Sequence, residues 1–518
     1  MSDEIKQSVS HIEDAADEKP TIEEASTAEV FIEPSVDAKI ATLKEIVGPD
    51  RVALEKKLVR RLDYMILPAL QIIYILNYLD RTNIGTARLG TLEEDTNLHG
   101  TQYNTVIAIF FVGYVLMQVF TNLLLNKVRP SIFLPCVMIC WATVSACSGA
   151  VQSYGGWIAV RFILGFVESP FFAGSVFLLS SWYTKKELAS RIALMYVASQ
   201  MSGAFGGLIG EAILGRFSHD NLGIAAWRWL FIIEGVITIP VAICAMFILP
   251  DFPHNTKWLS EQERALAQLR IIEEANREDN YETQSLKKGF TDAFKDPALY
   301  MIWILQLSIC TAAGVNAYFP TIVQTLGYGR TKTLLLTVPP WIVSALWSIA
   351  TCFSSDKHKE RFGHIMVSLV IALVGFIIAA STMNIAARYV SMIMMLMIYG
   401  GLTTAWSWAS TTLSRPPAKR AVSIAFINAF SNISSTYSSY FYPKSSGPRY
   451  LQGMALNIGF TALAIVFTII TKAYLVYRNK KLQQANEEDL AVEGKRGGSK
   501  STALADKWYC DPHYRFTT

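Results

Sequence analysis

Apolar residues in this chain gather into runs of roughly 20, the length an α-helix needs to cross the hydrocarbon core of a bilayer. Six runs fall near 62–87, 102–126, 131–151, 157–183, 190–213 and 227–249, and six more near 298–320, 332–353, 364–384, 388–411, 421–442 and 453–476. Between the two sets lies a polar, charge-rich stretch whose spacing predicts a surface helix over 261–277. The pattern predicts an all-α membrane protein of twelve transmembrane helices in two pseudo-symmetric six-helix bundles, residues 61–250 and 297–477, joined by a loop over 251–296. The acidic segment 1–60 has few aromatic residues and is expected to be a disordered tail, with a second tail over 478–518. The start of the chain lacks the basic region and short apolar core of a cleaved signal peptide.

Composition agrees: 52% hydrophobic, 17% charged and a mean hydropathy of +0.29 are too apolar for a soluble enzyme of this length. The distribution of positive charge says more than its sum. Lys56, Lys57, Arg60, Arg61, Lys127, Arg129, Lys185, Lys186, Lys287, Lys288, Lys357, Lys359, Arg361, Lys419 and Arg420 all fall in loops on one side of the twelve-span plan. By the positive-inside rule both termini and the central loop are then expected in the cytoplasm. Nucleic-acid binding is not implied. The cysteines form neither a disulfide framework nor a metal-ligand pattern, and no nucleophile, base and oxyanion-donor set assembles, so neither an enzyme nor a cofactor is expected.

The charges inside the predicted spans carry the candidate chemistry: Asp80 and Arg81 in 62–87, Arg161 and Glu168 in 157–183. Ionisable groups at that depth cost several kcal/mol, so they are normally turned inward, paired and used. Arg161 and Glu168 are seven residues apart, which at about 100° per residue returns them to nearly one helix face, roughly 10 Å apart along the axis. Asp80 and Arg81 are adjacent and diverge by about 100°, so one should face the interior cavity and the other a neighbouring helix. An inward arginine offers a planar fork to a carboxylate, and an acid nearby can hold or release a proton. Glu234, after Trp227-Arg228-Trp229, reads as a structural acid that contacts neighbouring helices or reaches toward water. Gln200, Asn316, Tyr318, Trp406, Asn428 and Asn432 could orient a small ring-bearing anion, although interhelical hydrogen bonding explains each one singly. Gly203, Gly206, Gly207 and Gly210 give small-xxx-small pairs suited to close helix packing.

Several of these segments also resemble a known family. Asn77-Tyr78-Leu79-Asp80-Arg81-Thr82-Asn83, Arg161-Phe162-Ile163-Leu164-Gly165-Phe166-Val167-Glu168, Trp227-Arg228-Trp229 through Glu234-Gly235, Asp251-Phe252-Pro253 and Gly447-Pro448-Arg449-Tyr450 stand in order at matching helix positions. Over about 54–480 the chain resembles the major facilitator superfamily, and within it the anion:cation symporter branch, especially the fungal allantoate permease-like transporters. The resemblance implies that Arg161 engages a substrate carboxylate, that Glu168 is protonated during transport, that Arg81 approaches Glu168 or the substrate, and that Asp80 is a second titrating acid. It also implies a cytoplasmic gate at Asp356, Lys357 and Arg361, whereas the equivalent loop of the first half, Leu125-Asn126-Lys127-Val128-Arg129-Pro130, departs from the family pattern.

The function so implied is proton-coupled import of a small organic anion, such as nicotinate or allantoate, by alternating access. The chain would work as a monomer in the plasma membrane, with the proton as coupling ion and the lipid bilayer as surroundings. An exporter of an acidic secondary metabolite and a non-transporting nutrient receptor on the same fold remain open as alternatives.

Overall fold

The computed structural model describes residues 36–124, 128–216, 223–256, 258–279, 286–413 and 417–496. Among them ten helices are long and apolar enough to cross a membrane. With Gln102–Leu124 and Pro417–Asn432 they occupy the twelve expected places. We number these α1 (Arg51–Ala87), α2 (Gln102–Leu124), α3 (Pro130–Cys147), α4 (Tyr154–Trp182), α5 (Lys185–Arg216), α6 (Ala226–Ile248), α7 (Pro297–Ala313), α8 (Arg330–His358), α9 (Phe362–Ser381), α10 (Ile385–Leu396, resuming as Ile398–Thr412), α11 (Pro417–Asn432, then Ser434–Ser438) and α12 (Leu451–Arg496).

Local chemistry sets the helix starts. Ser153 caps α4 by accepting from the Gly156 N–H, and Asp296 caps α7 by accepting from the Ala298 N–H. The surface helix Glu261–Asp279 opens with a capping box in which Ser260 and Glu263 each accept the other's backbone N–H at 3.2 Å. Three spans break near mid-length. Helix α7 passes through a tight turn of 3₁₀ helix, Gly314–Tyr318, before Phe319–Gln324, and α10 and α11 are interrupted at Met397 and Ile433. Irregular backbone at membrane depth is tolerated where it is buried in protein or lines a cavity.

The expected tail 1–60 differs from the structure over its last part. Val36–Val47 is helical and lies on Glu261–Asp279, with Leu43 and Val47 buried. Arg51, at the start of α1, holds Glu273 through both guanidinium nitrogens at 3.1 and 2.6 Å. That bond, followed by the Arg51 charge, keeps the Glu273 carboxyl below its ordinary range. Arg270, 2% exposed at its side chain, pairs with Glu55 at 2.8 Å and with Glu187. The central-loop helix therefore ties the start of α1 to that of α5, and this dock is long-range, so local composition did not reveal it. Residues 1–35, the loop residues 125–127 and the end of the chain from 497 lie outside the described residues.

The two bundles meet mainly along α5 with α8 and α2 with α11. The glycines of α5 permit the first contact: a Cβ on Gly203 would lie 2.5 Å from the Trp341 ring, and one on Gly207 2.8 Å from the Leu334 carbonyl oxygen. Gln200 hydrogen-bonds Ser344 and Ser348 across the same seam. At the end remote from both termini, here the distal end, the seam is closed. Across it the Asn104 amide donates to the Ser439 carbonyl at 2.7 Å, Arg330 to Leu214 O at 2.5 Å, and Lys444 pairs with Glu93 at 2.9 Å, while Tyr318 Oη, from the same bundle as Ser439, donates to that carbonyl at 2.6 Å. At the end carrying the termini, α4 and α5 stand apart from α10 and α11 around a cavity of about 580 Å³.

Candidate functional site

A smaller cavity, about 160 Å³, lies between the bundles beneath the distal seal. Tyr196, Trp406 and Asn428 line both cavities, so one leads into the other toward the terminal end. The first bundle contributes Tyr78, Arg81, Phe110, Phe111, Arg161 and Tyr196 to its wall. The second contributes Asn316, Tyr399, Trp406, Asn428, Asn432 and Ser435. Four of the predicted substrate contacts, Arg161, Arg81, Asn316 and Trp406, thus meet there with a fifth, Asn428.

Arg161 is 2% exposed. Its Nη1 reaches the Arg81 carbonyl oxygen at 3.5 Å, the outer limit of a hydrogen bond, while Nε and Nη2 have no partner. Its guanidinium carbon stands 5.9 Å from the Trp157 and Phe231 rings. A buried guanidinium with two unanswered donors, at the wall of a cavity, fits an anion with two acceptor oxygens.

Arg81 is held differently. Its Nε donates to Glu168 Oε2 at 2.6 Å, and its guanidinium sits 4.7 to 5.4 Å from the ring centroids of Tyr78, Phe110 and Tyr114. Glu168 is fully buried behind this arginine, with Oε1 unpartnered, and does not reach the cavity wall. The shared helix face of Arg161 and Glu168 therefore brings both toward Arg81 rather than both into the cavity. Asp80 turns away, as the divergence of adjacent side chains requires: its Oδ1 accepts from Ser145 Oγ of α3 at 2.6 Å and its Oδ2 has no partner.

Other predicted positions fall elsewhere. Tyr318 is 1% exposed and belongs to the distal seal, bonded to Ser439 and stacked 5.1 Å from Tyr442. Gln200 is engaged in the seam between the bundles. Asp356 pairs with Arg361 at 2.6 Å. This pair lies within the α8–α9 connection of one bundle, is formed while the terminal end stands apart, and so bridges no gate between the halves. Lys357 is exposed. Glu234 is 3% exposed with neither oxygen partnered, so of the two expected readings the one that reaches toward water is not seen. The aromatic wall, Tyr78, Phe110, Tyr196 and Tyr399, was missed by reading single residues. Tyr78 lies inside the Asn77–Asn83 motif and Tyr196 one helical turn before Gln200, and those positions were the available signal.

Comparison with known proteins decides the family. The Major Facilitator Superfamily pattern matches residues 70–439. The chain belongs to that superfamily. Relatives of this superfamily member include the MFS-type transporter cnsO of Penicillium expansum, 32% identical over 83% of this chain and 85% of the relative. The major facilitator-type transporter hxnP of Emericella nidulans is 30% identical, over 82% and 87%. Among solved structures, the proton:xylose symporter XylE superposes with a TM-score of 0.64 at 14% identity, covering 80% of this chain and 96% of XylE. A bacterial homologue of the human lysosomal transporter Spinster gives 0.61 at 15%, covering 79% and 96%. This superfamily member is a multi-pass membrane protein whose relatives are transporters, not enzymes.

Proposed function

We propose that this transporter imports a small organic carboxylate together with a proton by alternating access. The observation that carries the reading is Arg161, buried at the wall of a cavity shared by both bundles with two guanidinium nitrogens, Nε and Nη2, unanswered. A guanidinium so placed lacks its anion, and a planar carboxylate satisfies its fork. Arg81, Arg161, Asn316, Trp406 and Asn428 hold the substrate. Glu168 and Asp80 carry the coupling proton.

Protonating Glu168 removes the charge that holds Arg81 at 2.6 Å. Arg81 is then free to join Arg161 on the carboxylate, and substrate and proton share one conformational cycle. The aromatic wall suits a compact ring-bearing acid of the nicotinate kind. The basic loops at the terminal end support a cytoplasmic placement of the termini, so the open cavity faces inward and the distal seal outward. The plasma membrane and a monomeric state belong to the same reading. A carboxylate and its neutral amide, compared in proteoliposomes with an acidic exterior, test it. The carboxylate should accumulate and the amide should not; equal uptake of both overturns the anion site.

A further inference from the structure

Among the described residues, the depth of the first bundle holds Asp80, Arg81, Arg161, Glu168 and Glu234, while Arg88, 7% exposed at its side chain, pairs with Glu93 nearer the distal end. Glu234 stands apart from the ion pairing. It is 3% exposed, and both carboxyl oxygens lack a hydrogen-bond partner. Its position follows from packing against α3, where a Cβ on the next residue, Gly235, would lie 2.6 Å from the Ala142 carbonyl oxygen and 3.0 Å from the Ala146 nitrogen. Ser145 of that same stretch donates to Asp80, so α1, α3 and α6 converge at one level. Asp80 Oδ2 at this level is likewise unpartnered.

Charge counting separates the three acids. With every group ionised the cluster holds three negative charges against two guanidiniums, and the excess falls on Glu234, which has neither cation nor donor. Burying a carboxylate without either is costly enough that such a group takes up a proton instead. We propose that Glu234 keeps a resident proton through the transport cycle, leaving the moving proton to Glu168 or Asp80. The empty site is then neutral, and a bound monocarboxylate adds one negative charge that one further proton balances. The stoichiometric part rests on the proton-coupled reading above; the protonation of Glu234 does not.

Infrared difference spectra of the purified full-length transporter in lipid, parent against Glu234→Gln at neutral pH, test this. The carbonyl band of a protonated carboxylic acid should be lost in the variant, and the same difference should appear with and without substrate. Glu234→Gln should also keep the parental proton-to-substrate ratio. Should Gln fold poorly, Glu234→Met, equally unable to ionise, is expected to keep that ratio. Carboxylate bands in the difference spectrum overturn the proposal, as does a variant that loses concentrative uptake while retaining exchange. Because the band is read without transport, a parent protein that moves no protons would break the coupling reading and leave this assignment standing.

Discussion

The two bundles share a fold and divide the chemistry. The interior of the first holds two guanidiniums and three carboxyls, from Arg81 and Arg161 to Asp80, Glu168 and Glu234. The wall that the second presents to the same cavity is uncharged: Asn316, Tyr399, Trp406, Asn428, Asn432 and Ser435. Its buried charges, Arg361 beside Asp356, Lys419 beside Asp296, and Arg388 bonded to the Pro448 carbonyl, sit at helix ends. The two halves therefore share a helical plan and differ in the chemistry they bring to the cavity. A charge deep in the bilayer is retained where it has work to do, so on the proposed reading proton and carboxylate handling belong to the first bundle. On the same reading the second supplies shape and neutral hydrogen bonds, and can move relative to the first without carrying a charge at the cavity wall.

Substitutions that break this division should act in a graded order on transport. The largest effect is expected from Arg161→Lys, which keeps the charge and loses the fork. Uptake should fall at least roughly tenfold with surface expression retained, and near-parental affinity in an uptake assay would reduce Arg161 to a point charge. Next comes Glu168→Gln, a mimic of the protonated acid. Concentrative uptake should collapse while substrate exchange persists, because exchange needs no net proton release. Undiminished gradient-driven accumulation would move coupling to Asp80.

In the second bundle, Asn428→Ala removes a neutral hydrogen-bonding group. It should weaken apparent affinity by about three- to tenfold and leave the pH dependence of uptake unchanged; a displaced pH profile would put proton chemistry in both bundles. The smallest effect on transport belongs to Lys419→Met at the helix ends. Its cost is in stability, about 3 to 5 kcal/mol for an acid left buried without its main partner, measurable by thermal unfolding. Burial raises the Asp296 carboxyl, but the Lys419 charge and hydrogen bond, the Ala298 N–H and Arg478 outweigh it and hold it below the ordinary range. Its stabilising contribution is present above the ordinary carboxylate value and is lost as pH falls through the depressed one. Without Lys419 the Asp296 carboxyl moves back toward its ordinary value, so the part of the acid-induced loss of stability that this carboxyl causes in the parent should be smaller in the variant.

The fold was legible because bilayer thickness imposes run length directly on sequence: the start predicted at 102 matches Gln102, and most other limits fall within a few residues. Helix α12 departs most, ending at Arg496 rather than 476, and α1 begins at Arg51 rather than 62 because its polar first turns are held by Glu263 and Glu273 of the distant surface helix. Charge depth singled out Asp80, Arg81, Arg161 and Glu168, of which Arg81 and Arg161 line the cavity, and helical geometry foretold that Asp80 and Arg81 would part. Which arginine pairs with Glu168 was not in the spacing, because it depends on how α1 packs against α4. Tyr318 and Gln200 were polar residues on the right helices at the wrong depth or face. Their bonds to Ser439 and to Ser344 and Ser348 are long-range facts that no local pattern carries.

Proton uptake on substrate binding, measured with purified protein in weakly buffered solution, tests the division of labour most directly. The account predicts about one proton bound per monocarboxylate near neutral pH, lost in Glu168→Gln and retained in Asn428→Ala. Undiminished uptake in Glu168→Gln together with its loss in Asn428→Ala would contradict the placement of proton chemistry in the first bundle.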